Sequence, residues 1–145
     1  MMRKMAGLTV LLALGASAAC GSGGSEPAAV EWLAPDDYEF VLDSSCGEQQ
    51  LIGRFRVVVD NGTVGEVEGL NERGRYLVAS PGTDGIPTLT QLLTLYNEAQ
   101  ERGADVATVD VDPTDGHPTR IDIDLDVDVV DDESCFVISD YVAST

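Results

Sequence analysis

From Tyr38 onward apolar residues recur at every second position. Tyr38, Phe40 and Leu42 predict a first strand with an aromatic face, and Asp43-Ser44-Ser45-Cys46-Gly47 breaks it. Leu51, Phe55, Val57 and Val59 then share one parity while Arg54 and Arg56 take the other, which predicts a second strand. Asn61-Gly62 follows at once. That dipeptide supplies the two positive-φ positions of a type I′ turn and predicts a hairpin. Val64 to Leu70 reads as the returning strand, with Gly65 and Gly69 marking a bulge or a short edge.

Residues 71–87 read as a connection punctuated by glycine and proline, with a short strand at Tyr76-Leu77-Val78. The period then changes. Leu89, Leu92, Leu93, Tyr96 and Ala99 fall on one face of a helix, Thr88 and Gln91 have capping-box spacing, and Gly103 stands at the C-terminal cap. Three further strands are expected: Ala104–Asp112, Arg120–Val129 and Cys135–Ile138, with a turn over Pro113–Pro118. The Arg120–Val129 stretch alternates most strictly, with Ile121, Ile123, Leu125, Val127 and Val129 against Asp122, Asp124, Asp126 and Asp128. Four aspartates on one strand face would repel one another. The expected fold is α+β: an antiparallel sheet of about five to six strands with one helix packed on one face.

The first residues do not belong to that pattern. Arg3-Lys4 precede a short apolar run that ends in Ser17-Ala18-Ala19-Cys20, the layout of an export signal. The run is too short to span a bilayer, which takes about 20 apolar residues. Cysteine directly after small residues resembles a bacterial lipoprotein signal and implies acylation (palmitate) at Cys20, although Ala16-Ser17-Ala18 also suits plain secretion. The domains read as 1–19 signal peptide, 20–30 lipidated cysteine and flexible linker, and 31–145 a single α+β domain. A flexible linker of that length reaches about 18 Å.

Removing residues 1–19 from the 145-residue chain leaves 126, enough for one core. The formal charge of −18 becomes −20 in the processed chain, because Arg3 and Lys4 are lost, and no lysine remains. Such a surface repels nucleic acid and suits solubility, cationic partners or divalent metal. With Cys20 assigned to lipid, Cys46 and Cys135 remain as a disulfide pair in an exported chain, the alternative being two separate thiols.

Candidate chemistry is sparse. His117, the single histidine, lies between Gly116 and Pro118 and reads as a surface turn residue. No nucleophile elbow, phosphate loop, dinucleotide fingerprint or zinc spacing is present, so neither an enzyme nor a cofactor is expected. Asp110, Asp112 and Asp115 make a weak calcium-loop match, because Thr114 and Asp115 occupy positions five and six and Ile121 stands where the bidentate glutamate belongs. Asp132 and Glu133 could form a carboxylate pair but read as solvated loop.

The run Asp112-Pro113-Thr114-Asp115-Gly116-His117-Pro118, followed by the Ile121–Asp124 segment, Asp131-Asp132-Glu133 and Val137-Ile138-Ser139, resembles an uncharacterised family of small bacterial lipoproteins and secreted proteins. Tyr38-Glu39-Phe40 and the hairpin around Gly62 extend the likeness over most of the chain. Val111 departs from that family's usual tyrosine, and His117 takes its aromatic position. The resemblance implies no activity. Two expectations stand: a membrane-anchored extracytoplasmic lipoprotein carrying a non-enzymatic binding or accessory domain for an unknown protein or small molecule, or a calcium-dependent envelope protein using its aspartate-rich turns and strand.

Overall fold

A computed structural model describes residues 28–47, 51–80 and 85–144. The expected signal peptide, the expected lipidation site Cys20 and the expected linker through residue 27 lie outside the described residues. Six strands and two helices follow in the order β1 (Tyr38–Ser44), β2 (Gly53–Asp60), β3 (Thr63–Gly69), α1 (Glu72–Ala79), α2 (Leu89–Glu101), β4 (Val106–Val111), β5 (Pro118–Asp124) and β6 (Glu133–Ala143). The strands form one open sheet, β3-β2-β1-β6-β5-β4, antiparallel at every pairing.

Residues opposite one another in an antiparallel pair point to the same face. Phe55 faces Leu42, Leu42 faces Ile138, Phe136 faces Ile121 and Ile121 faces Val109, so one apolar face runs across the sheet. Leu89 and Leu92 of α2 close over it, and like Phe40, Leu42, Phe55, Val57 and Ile121 they have no exposed surface. Each such side chain contributes roughly 1.5–3 kcal/mol before chain entropy is set against it. The opposite face is wet and charged: Arg54 stands across from Asp43, Arg120 from Asp110, and Arg56 pairs with Glu68 at 3.5 Å.

Local chemistry fixes the elements that the pattern predicted. Asn61 and Gly62 both take positive φ, 49° and 72°, and turn β2 into β3. Gly65 is the extra residue of a bulge, because Val58 pairs with Glu66 but Val59 with Val64. Helix α2 starts at a reciprocal Thr88–Gln91 capping box. It stops in a Schellman motif: Gly103 N–H donates to the Gln100 carbonyl and Ala104 N–H to that of Ala99.

Four expectations are corrected. The Tyr76–Val78 strand is instead part of α1, so two helices, not one, pack on the sheet. Asn71 caps α1 by accepting from Gly74 N–H at 2.7 Å, and the same oxygen accepts from Arg54 N–H of β2 at 3.2 Å. Small residues let the helix approach: a Cβ on Gly69 would stand 2.2 Å from the Arg75 nitrogen. The Arg120–Val129 strand begins at Pro118 and ends at Asp124, because that residue is the last to find partners, Val106 on one side and Glu133 on the other. The last strand is longer than Cys135–Ile138, running from Glu133 to Ala143. Finally, Val30 is already fixed on α2, its N–H and carbonyl both bonded to the Asn97 amide at 3.0 Å, so the expected linker to residue 30 is too long.

Candidate functional site at the β4–β5 hairpin

The turn from β4 to β5 is built by its own polar side chains. Asp112 N–H donates to the His117 carbonyl and Gly116 N–H to the Asp112 carbonyl, closing the loop at 2.8 and 2.9 Å. The Asp112 carboxylate accepts from Thr114 N–H at 2.8 Å, an Asx turn ahead of the reversal. Asp115 accepts from His117 N–H at 3.1 Å and bonds the His117 Nδ1 at 2.5 Å.

This hairpin is roofed by rings that come from distant parts of the chain. His117 stacks on Tyr141 at 4.1 Å and 24°. Trp32 stands edge-on to Tyr141, Tyr38 and His117, at 5.8, 5.6 and 6.4 Å. A bulge in β6 makes the stack possible. Glu39 pairs with Val142 but Val41 with Ser139, and Asp140 takes φ 51° as the extra residue. The shift by one residue turns Tyr141, rather than Asp140, toward the helix-covered face. Tyr38 completes the corner: its hydroxyl accepts from Leu89 N–H at the start of α2, and burial pushes its pKa up.

The His117 side chain is only 12% exposed. The expected surface turn residue is thus a packed one, its ring doing the work of an aromatic side chain. Burial pushes the Asp115 carboxyl up, but the hydrogen bonds and charge of His117 outweigh it and hold the carboxyl below its ordinary value.

Of the three aspartates weighed as cation ligands, Asp112 and Asp115 come together and are joined by His117, with one donor atom from each lying within 4.8 Å of the others. Asp110 does not join them; it stands opposite Arg120 on the charged face. Two carboxylates and an imidazole suit a first-row transition metal better than calcium, which takes six to eight oxygens. Asp132 lies in the β5–β6 loop, and Glu133 opens β6 opposite Asp124. Cys46 and Cys135 form a disulfide that ties the segment after β1 to the start of β6, with Cα atoms 5.3 Å apart.

Missed in the sequence were Trp32 and Tyr141. Both lie more than twenty residues from the hairpin, and no local pattern links them to it.

Fold and site together define a small disulfide-tied α+β sheet domain whose hairpin corner is closed by aromatic rings. The chain belongs to a family of unknown function, DUF6174, which it matches over residues 28–143. Comparison with curated proteins and with solved structures returns no match.

Proposed function

We propose that this chain is an exported, lipid-tethered lipoprotein that presents a non-enzymatic binding domain outside the cytoplasm, with Cys20 acylated at the membrane. The Cys46–Cys135 disulfide carries this reading, because such bonds persist in oxidising compartments and are rare in the cytosol. The basic start, short apolar run and small residues before Cys20 support it from the sequence. Val30, clamped by Asn97, is held on the domain ten residues after Cys20. The acidic surface points to a protein or small-molecule partner and away from nucleic acid. Replacing Cys20 by serine tests the anchor. The wild type should partition into detergent with the added acyl mass, and Cys20→Ser should stay aqueous or unprocessed. A fully soluble wild type without acyl mass would overturn the reading.

A second reading keeps the dependence on a divalent cation but moves the ligands. The Asp112–Asp115–His117 grouping favours it, with an imidazole that directs the choice toward nickel- or zinc-like ions rather than calcium. Its test uses the His117 variants described in the Discussion.

A further inference from the structure

The turn between β2 and β3 carries a chemically reactive pair. Of the three asparagines in the chain only Asn61 precedes a glycine, and both residues of the pair are exposed. Gly62 has no side chain to shield its amide nitrogen, and nothing stands within 4 Å of where a Cβ would be. That nitrogen can attack the side-chain amide of Asn61. It gives its proton to hydroxide or water, a bond forms to Cγ, and the Cγ–Nδ2 bond breaks with ammonia leaving. Water then opens the cyclic imide at either carbonyl, which yields aspartate or isoaspartate. Water is the only co-reactant.

The fold engages both reacting groups elsewhere. Gly62 N–H donates to the Asp36 carbonyl at 2.8 Å, which ties the nucleophile to the segment before β1. Asn61 Nδ2 donates to the Asp60 carboxylate and Asn61 N–H to that of Asp37, each at 2.8 Å. Asn61 and Gly62 stand at φ 49° and 72°, and closing the imide ring would unwind this left-handed turn. The Thr63 hydroxyl braces it further, donating to the Asp60 carbonyl at 3.0 Å. Charge acts in the same direction. The carboxylates of Asp37 and Asp60 oppose the negative charge that the Gly62 nitrogen must acquire. The product matters to the sheet, because isoaspartate adds a methylene to the main chain of a two-residue turn. That turn sets the register in which Val59 meets Val64 and Val57 meets Val67.

We propose that Asn61 is a site of spontaneous deamidation that the native turn keeps inactive, with Asp36 and Asp37 as its clasp. Each opening of the clasp exposes the pair to reaction, so the extent of modification follows the population of the open turn. The proposal stands apart from the membrane anchor and does not require it.

The test is storage of the protein in mildly alkaline buffer, followed by peptide mapping that separates aspartate from isoaspartate at each asparagine. Unfolded in guanidinium with its disulfide reduced, the chain should deamidate first at Asn61, about tenfold or more faster than the folded protein. Folded Asp37→Ala should react several-fold faster than the folded wild type, because it loses both the acceptor for Asn61 N–H and a negative charge. Asp37→Asn keeps an oxygen for that N–H and should be slower than Asp37→Ala. The purified isoaspartate form should melt lower than Asn61→Asp, whose main chain is unchanged. Equal rates in the folded and unfolded protein, or faster reaction at Asn71 or Asn97 than at Asn61 in the unfolded chain, would overturn the proposal. So would a wild-type rate in Asp37→Ala, an Asp37→Asn no slower than Asp37→Ala, or an isoaspartate form as stable as Asn61→Asp.

Discussion

The two connections at either end of β5 are both acidic and both join neighbouring antiparallel strands, but they use their charges in opposite ways. In the β4–β5 hairpin the carboxylates of Asp112 and Asp115 accept hydrogen bonds from Thr114 and His117, and Trp32 and Tyr141 close over the turn. At the β5–β6 connection Asp124, the last residue of β5, and Asp132 each have an oxygen without a hydrogen-bond partner among the described residues, and valines face water. Carboxylate count therefore says little about what a loop does. The donors within reach decide whether an acidic turn is a closed structural corner or a surface with unmet bonding capacity.

The largest expected effect comes from cutting the bond nearest the open loop. Cys135→Ser releases the start of β6 from the segment after β1, opening a link across 89 residues. The chain-entropy account gives about 4–5 kcal/mol for such a loop, and engineered cases often show less. A loss of even 2–3 kcal/mol lowers the melting temperature of a domain this size by several degrees. Hydrogen exchange in the variant should rise first at Glu133–Phe136 and leave the amides of Asp112 and Gly116 protected. Equal loosening at both ends of β5 would erase the contrast between them.

His117→Ala should come next. It removes both the stack on Tyr141 and the bond to Asp115, at about 2 kcal/mol. His117→Phe keeps the ring and loses only the Nδ1 bond to Asp115, so it should recover at least half of that loss in urea melts. The same pair addresses the cation reading. Nickel should quench Trp32, the only tryptophan, in the wild type, and both variants should be blind to it. Quenching that survives in His117→Phe would remove the hairpin as a metal site.

The sequence carried most of the sheet and little of the corner. Strands β1 to β3 and helix α2 were legible because each pairs a clear period with a local signal, such as Asn61-Gly62 or Thr88–Gln91. Helix α1 was hidden, since the Asn71 side chain that caps it also bonds Arg54 of β2, and no window of the sequence contains that contact. The Arg120–Val129 alternation was over-read for the complementary reason. A strand needs partners as well as a period, and β4 and β6 reach only as far as Asp124. The role of His117 depends on Tyr141, whose direction is set by one extra residue at Asp140 in another strand.

The smallest effect gives the sharpest comparison. The four-aspartate strand face expected from the alternation does not form, and Asp124 is pushed above its ordinary value, first by loss of water and then by Asp132, Glu133 and Asp105. A raised folded-state pKa means that protonation favours the native form. Its stability contribution therefore falls as pH rises from about 3.9, the ordinary aspartate value, through the raised one, and stays reduced at pH 7. Asp115 has the opposite sign: held below its ordinary value, it stabilises the fold above about pH 3.9, and that contribution is lost as pH falls through the lower folded value. Asp124→Asn should therefore be more stable than wild type at pH 7 and Asp115→Asn less stable. Both differences should shrink on acidification, that of Asp124 closing at the higher pH. Urea melts of the three proteins between pH 7 and pH 3 provide the measurement. Two differences of the same sign at pH 7 would show that both turns treat their carboxylates alike.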